Sequence, residues 1–204
     1  MRLITQAKDM CLKKTKSIIF VFVIFFFNNQ VNSEEIKIEQ IINHLQQLKN
    51  FSVSFLQSTD NEISEGKISV KNKRIRIDYK KPTKILIILS KDKAMYYNHD
   101  LDEDEFFDPK DTSAWFFFEI FNNRNFFLNS NYSEKDNNII IEKIGVVDEQ
   151  KYNLKLFFEK NPIILRKIRL NLDQQIITLS VFGHNYNEKF DDNYFKLINP
   201  SFYD

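Results

Sequence analysis

Apolar residues follow two periods along this chain, and the change between them comes early. From Glu34 to Asn50, Ile38, Ile41, Ile42, Leu45 and Leu48 recur three or four positions apart, with Glu, Lys and Gln between them. That is the pattern of one amphipathic helix. From Phe51 the period drops to two: Phe51, Val53 and Phe55 alternate with polar neighbours, then Ile68 and Val70, then Ile75, Ile77 and Tyr79. Further short strands are read at Ile85–Leu89, Ala94–Asn98, Asn138–Glu142, Tyr152–Phe158, Ile164–Asn171, Gln175–Gly183 and Tyr194–Ile198, with polar turns between. Such spacing predicts a meandering antiparallel sheet or barrel. Pro109-Lys110-Asp111-Thr112-Ser113 breaks the run with helix-start residues, and Ala114-Trp115-Phe116-Phe117-Phe118-Glu119-Ile120-Phe121 follows. This second helix is apolar nearly all round and needs neighbours on most sides. The expected fold class is mainly β with α: an incomplete antiparallel β-barrel, half-open and strongly curved, closed by a helical lid.

The first residues stand apart. Lys13, Lys14 and Lys16 precede ten consecutive apolar residues, Ile18 to Phe27, and a polar stretch ends at Val31-Asn32-Ser33. A basic start, a short apolar centre and a small residue at the end predict a secretory signal peptide over residues 1–33, cleaved near Ser33, with Met10 an alternative start. The apolar run is about half of what a membrane-spanning helix needs. Cys11, the one cysteine, would leave with this leader, so the exported domain, residues 34–204, would hold no disulfide and no thiolate ligand. Its 171 residues suit a single domain with a sizeable core. Without the leader's five basic residues and one acidic residue, the 29 Lys and Arg and 28 Asp and Glu become 24 and 27, a net charge of −3. That balance argues against nucleic acid, and against an anionic membrane surface, as constitutive partners.

Chemistry-bearing motifs are sparse. A nucleophile elbow, a Walker loop and a dinucleotide fingerprint are all missing from the sequence. His44, His99 and His184 have no metal-ligand spacing to one another. The acidic run Asp100–Glu105 starts like a calcium loop, but Glu105 stands where the sharp turn needs Gly, and Asp111 stands at the closing Glu position. A solvated turn is expected there. No catalytic residue, metal or cofactor is expected. The aromatic helix is either packed core or the wall of a cavity, and periodicity does not separate the two.

A set of motifs in order carries more. Phe55-Leu56-Gln57 is followed by Gly66-Lys67-Ile68-Ser69-Val70, by Arg76-Ile77-Asp78-Tyr79-Lys80-Lys81-Pro82, and by Ser90-Lys91-Asp92-Lys93-Ala94-Met95-Tyr96-Tyr97-Asn98. This succession resembles the outer-membrane lipoprotein carrier family, LolA and its relatives. Those proteins show a Phe-x-Gln strand, a Gly-started strand, an Arg-aromatic-x-Tyr-x-x-Pro strand end and a Tyr-containing strand after a turn. Asp111 to Trp115 stands where that family starts a lid helix, and Phe195-Lys196-Leu197-Ile198-Asn199-Pro200 resembles its closing strand and turn.

The resemblance implies a periplasmic, monomeric carrier with an apolar cavity. Its cargo would be acylated lipoproteins, received from an inner-membrane ATP-driven exporter and passed to an outer-membrane receptor. The cavity wall it implies is Phe51, Phe55, Ile68, Val70, Ile75, Ile77 and Tyr79, facing Trp115, Phe116, Phe117, Phe118, Ile120 and Phe121. In the family an Arg after the second strand holds the lid; here Lys71-Asn72-Lys73 stands near that place. Lys73, Arg74 and Arg76 are therefore the latch candidates, and Arg76 could equally pair with Asp78 or a cross-strand carboxylate. A related carrier or sensor of another lipid or glycolipid is the alternative. A lipid-modifying enzyme would need a nucleophile with its base, and a lipidated receptor would need a cysteine after the apolar run. Phe117→Glu or Ile77→Glu is expected to abolish lipid binding and leave the chain folded.

Overall fold

The computed structural model describes residues 33–60 and 62–202, so the expected leader, save Ser33, lies outside the described residues. Helix α1 spans Ser33–Gln47 and buries Ile38, Ile41, Ile42 and Leu45. It ends short of the expected Asn50, because the Leu48 amide closes a turn on the Leu45 carbonyl and Asn50 already pairs with Lys71. The strands are β1 (Asn50–Thr59), β2 (Glu62–Lys71), β3 (Arg74–Lys81), β4 (Ile85–Leu89), β5 (Ala94–Asn98), β6 (Glu103–Phe107), β7 (Asn131–Lys135), β8 (Asn138–Val147), β9 (Gln150–Glu159), β10 (Ile164–Leu172) and β11 (Gln175–Asn185). Helix α2, Ala114–Asn122, lies between β6 and β7.

All eleven strands form one sheet in the order β6-β5-β4-β3-β2-β1-β11-β10-β9-β8-β7. Two runs of hairpins meet where β1 pairs antiparallel with β11, which leaves β6 and β7 as the edges. The sheet is curved and unclosed, as expected, and the segment that carries α2 is the connection from one open edge to the other. Register shifts at Ser52/Ser54, Glu65/Gly66 and Leu165/Lys167 mark irregularities of the bulge kind that bend a sheet.

A chain with three glycines must find other residues for left-handed turns. Asn72 and Lys73 turn β2 into β3, Asp136 and Asn137 turn β7 into β8, and Asp148 and Glu149 turn β8 into β9, each pair with positive φ. Two positive-φ residues in a two-residue hairpin loop match the right-handed twist of the strands, and Asn and Asp tolerate that conformation best after Gly. Gly183 takes a positive φ, while the other two glycines serve close approach. Gly66 lies opposite Phe55 and Gly145 opposite Tyr152, and a Cβ on either would fall within 3 Å of that partner's ring.

Two faces result. The concave face carries the main core: Phe51, Val53 and Phe55 of β1, Ile68 and Val70 of β2, Ile75 and Ile77 of β3, and their counterparts on β8 to β11, packed with the buried sides of α1 and α2. On the convex face a second cluster, Leu86, Ile88, Met95 and Tyr97, takes Leu197 of the C-terminal segment.

Two expectations need correction, and one strand was not expected. Tyr194–Ile198 is not a strand but a turn-rich segment lying over the sheet, with Tyr194 and Lys196 amides bonded to Asp191 and Asn193 carbonyls. Its alternation records burial of Phe195 and packing of Leu197, not pairing. The second half of the acidic run is strand β6, whose Glu103 to Phe106 are exposed. Strand β7, largely exposed as well, had no apolar alternation to betray it.

Candidate functional site

Phe55, Gly66 and Tyr79, from three consecutive strands, meet in the concave chamber. Across β1, β2 and β3, Phe55 packs edge-on to Tyr79 with ring centroids 5.2 Å apart, over Gly66, while the Tyr79 hydroxyl donates to Gln57 Oε1 at 2.8 Å. Phe-x-Gln, the Gly-started strand and the Tyr strand are thus one contact cluster. Burial pushes the Tyr79 phenol up to about 12, so it stays a neutral donor. Phe51, Phe55, Ile68, Val70, Ile75 and Ile77 share one core with Phe116, Ile120 and Phe121 of α2; Tyr79, Trp115 and Phe117 pack at its margin. Phe118 is buried but lines a separate outer groove together with Trp115.

Residues beyond those motifs complete the chamber. Phe126 and Phe127, in the 3₁₀ turn after α2, and Tyr152 and Phe158 of β9 are all buried there. Phe116 packs edge-on to Tyr152 at 4.8 Å and Phe126 stacks on it at 6.4 Å. The period-two pattern of Tyr152 to Phe158 could have marked the β9 residues; nothing in the pattern singled out Phe126 and Phe127.

Among the described residues the chamber is closely packed by side chains from the sheet and both helices. The gap among His44, Leu45, Leu48, Phe51, Ile168 and Phe121 measures about 10 Å³, room for about one water. What fills it is helix. Phe121 of α2 lies 5.4 Å from Phe51, and Leu45 of α1 is 2 % exposed.

Among the described residues, the polar ties from these helices to the rest of the molecule are few and exposed. Arg124, just past α2, pairs with Glu39 of α1 at 2.9 Å, both about half exposed. Lys37 stands 5.1 Å from the centre of the Tyr132 ring on β7. An exposed ion pair contributes well under about 1 kcal/mol, so apolar contact holds the helices.

The latch candidates sit elsewhere. Arg76 forks onto Asp78 with bonds of 2.7 to 3.0 Å, donates to the Tyr194 carbonyl at 2.9 Å, and lies 4.2 Å from the Tyr194 ring centre. Arg74 donates to the Phe195 carbonyl at 3.2 Å. Both fasten the C-terminal segment to the convex face, joined by Lys67, which pairs with Glu188 at 2.6 Å, and by Ser52, which bonds the same carboxylate. Lys73 lines the outer groove beside α2.

Among the described residues no group of three metal-ligating side chains occurs, and no helix is long and apolar enough to cross a membrane. His184 bonds the Leu165 carbonyl at 2.9 Å, and burial holds its imidazole below its ordinary value, toward the neutral form.

No family model matches the chain. An uncharacterised protein of Rickettsia prowazekii (strain Madrid E) is 24% identical to it, over 92% of this chain and 90% of the relative. Among solved structures, an uncharacterised conserved protein of Thermus thermophilus superposes with a TM-score of 0.52 at 7% identity, over 76% of this chain and 91% of that one. A LolA superfamily protein of Nitrosomonas europaea is also similar, with a TM-score of 0.44 at 11% identity, over 78% of this chain and 97% of that one. These likenesses concern the fold.

Proposed function

We propose that this protein carries the acyl chains of lipoproteins through the periplasm, holding them in the concave chamber after α1 and α2 move aside. The observation that carries this reading is the packing of an open, curved sheet by two helices, joined among the described residues by an exposed ion pair. The signal peptide read at residues 1–33 supplies the route to the periplasm.

Magnitudes favour exchange. Phe116, Ile120 and Phe121 of α2 and Ile38, Ile41, Ile42 and Leu45 of α1 are buried, and at 1.5–3 kcal/mol per side chain they contribute about 10–21 kcal/mol. Each acyl methylene gains about 0.8 kcal/mol on leaving water, so roughly 13–26 methylenes, one to two long chains, offset the loss of these contacts. Helix α2 has nine residues, too few to persist unpacked in water, and it would re-dock or melt as cargo enters. The closed form keeps the apolar wall dry between journeys.

The test is release of lipoproteins from spheroplasts by the purified protein, with the soluble product analysed by mass spectrometry. A one-to-one complex with an acylated lipoprotein is expected. Recovery of free lipid or glycolipid without lipoprotein would replace this cargo with another amphiphile. Recovery of neither would overturn the carrier reading.

A further inference from the structure

We propose that the groove between α2 and the β2–β3 and β4–β5 turns docks the phosphate head groups of anionic phospholipids at a membrane surface. Antiparallel pairing brings those two turns to the same end of the sheet. They face α2 across a cavity of about 460 Å³. Lys73 and Arg74 come from the first turn, Lys91 from the second, and Lys110 from the segment leading into α2; Trp115 and Phe118 supply an aromatic wall.

Charge in the groove is unbalanced. The ammonium groups of Lys73, Lys91 and Lys110 are exposed and engage no hydrogen bond, ion pair or ring among the described residues. Glu119 is the acidic residue of the lining, and its carboxylate already accepts from the Asn123 amide at 2.5 Å. Asp92 and Asp111 are chain neighbours of Lys91 and Lys110 but do not line the groove. Cations free of partners around a cavity this size fit phosphate oxygens, and a half-buried Trp beside them suits the interface below a head group. The net charge of −3 averages over residues 34–204; this patch is local and its attraction reversible. The proposal needs no acylated cargo, so it can fail while the carrier reading stands.

Trp115 is the only tryptophan, which makes its emission a reporter in the groove itself. The protein is titrated with vesicles of phosphatidylcholine alone and of phosphatidylcholine with phosphatidylglycerol of the same acyl chains, followed by fluorescence and sedimentation. Binding and a blue shift are expected with the anionic vesicles only, weakening as salt rises. The exposed triple variant Lys73→Gln/Lys91→Gln/Lys110→Gln, with unchanged circular dichroism, should bind on the order of 100-fold more weakly, about fivefold per cation. Equal binding to both vesicles, or an unaffected variant, would overturn the proposal. Displacement by millimolar inorganic phosphate, with chloride at equal ionic strength ineffective, would overturn surface docking and leave a site for free phosphate.

Discussion

Strands β2 and β3 are fastened differently on their two sides. Inward, Ile68, Val70, Ile75 and Ile77 meet helices through apolar area, with one exposed ion pair joining α1 to the turn after α2. Outward, Lys67, Ser69, Arg74 and Arg76 reach the C-terminal segment through directional bonds to Glu188, Tyr194 and Phe195. Apolar contact accepts any apolar substitute, including an acyl chain, whereas a guanidinium bonded to a backbone carbonyl, or an ammonium paired with a carboxylate, does not. Under the proposed function, the first face is the one that would exchange its contacts and the second the one that would stay shut.

The harshest way to break the contrast is a charge in the chamber wall. Ile77 is 4 % exposed, so Ile77→Glu strands a carboxylate among apolar neighbours and should cost more than about 4 kcal/mol. Loss of soluble, cooperatively melting protein is expected, against the expectation from sequence that this variant would stay folded. Arg76→Ala should cost about 1.5–3 kcal/mol for its charged hydrogen bonds, read by urea denaturation. It should also expose residues 186–202 to protease while leaving cargo binding intact.

Acid probes the same fastening more gently. Burial opposes ionisation of Glu188, but the bonds from Lys67 and Ser52 outweigh it and hold its carboxyl below the ordinary 4.5. A depressed carboxylate gives stability that is present above its unfolded value and lost as pH falls through the folded one. The C-terminal segment should thus hold at neutral pH and loosen as pH drops below 4.5, seen as faster amide exchange there than in the sheet. The smallest change in stability belongs to Arg124→Ala. It should shift stability by less than about 1 kcal/mol, yet speed cargo entry measured by stopped-flow.

Legibility followed burial. Strands with one buried side, β1 to β3 and β9 to β11, announced themselves by alternation, and the Phe55, Gln57, Gly66 and Tyr79 motif residues became one cluster because they are cross-strand neighbours. β6 and β7 are exposed edges, so no period marked them. Pairing of Arg76 with Asp78 was one of three open options, beside the latch and a cross-strand carboxylate; its hold on Tyr194 joins residues 118 positions apart, which no local pattern encodes. Whether the aromatic helix was core or cavity wall was also unreadable, since both demand the same apolar residues. In this closed form it is packed core.

The exchange of helix contacts for acyl chains is read by amide hydrogen exchange with and without a tripalmitoylated cysteinyl peptide. The peptide should change protection in α1 and α2, residues 37–47 and 114–122, while β1 to β3 and residues 186–202 stay as they were. Unchanged helices with a bound peptide, or opening of the C-terminal segment instead, would contradict it.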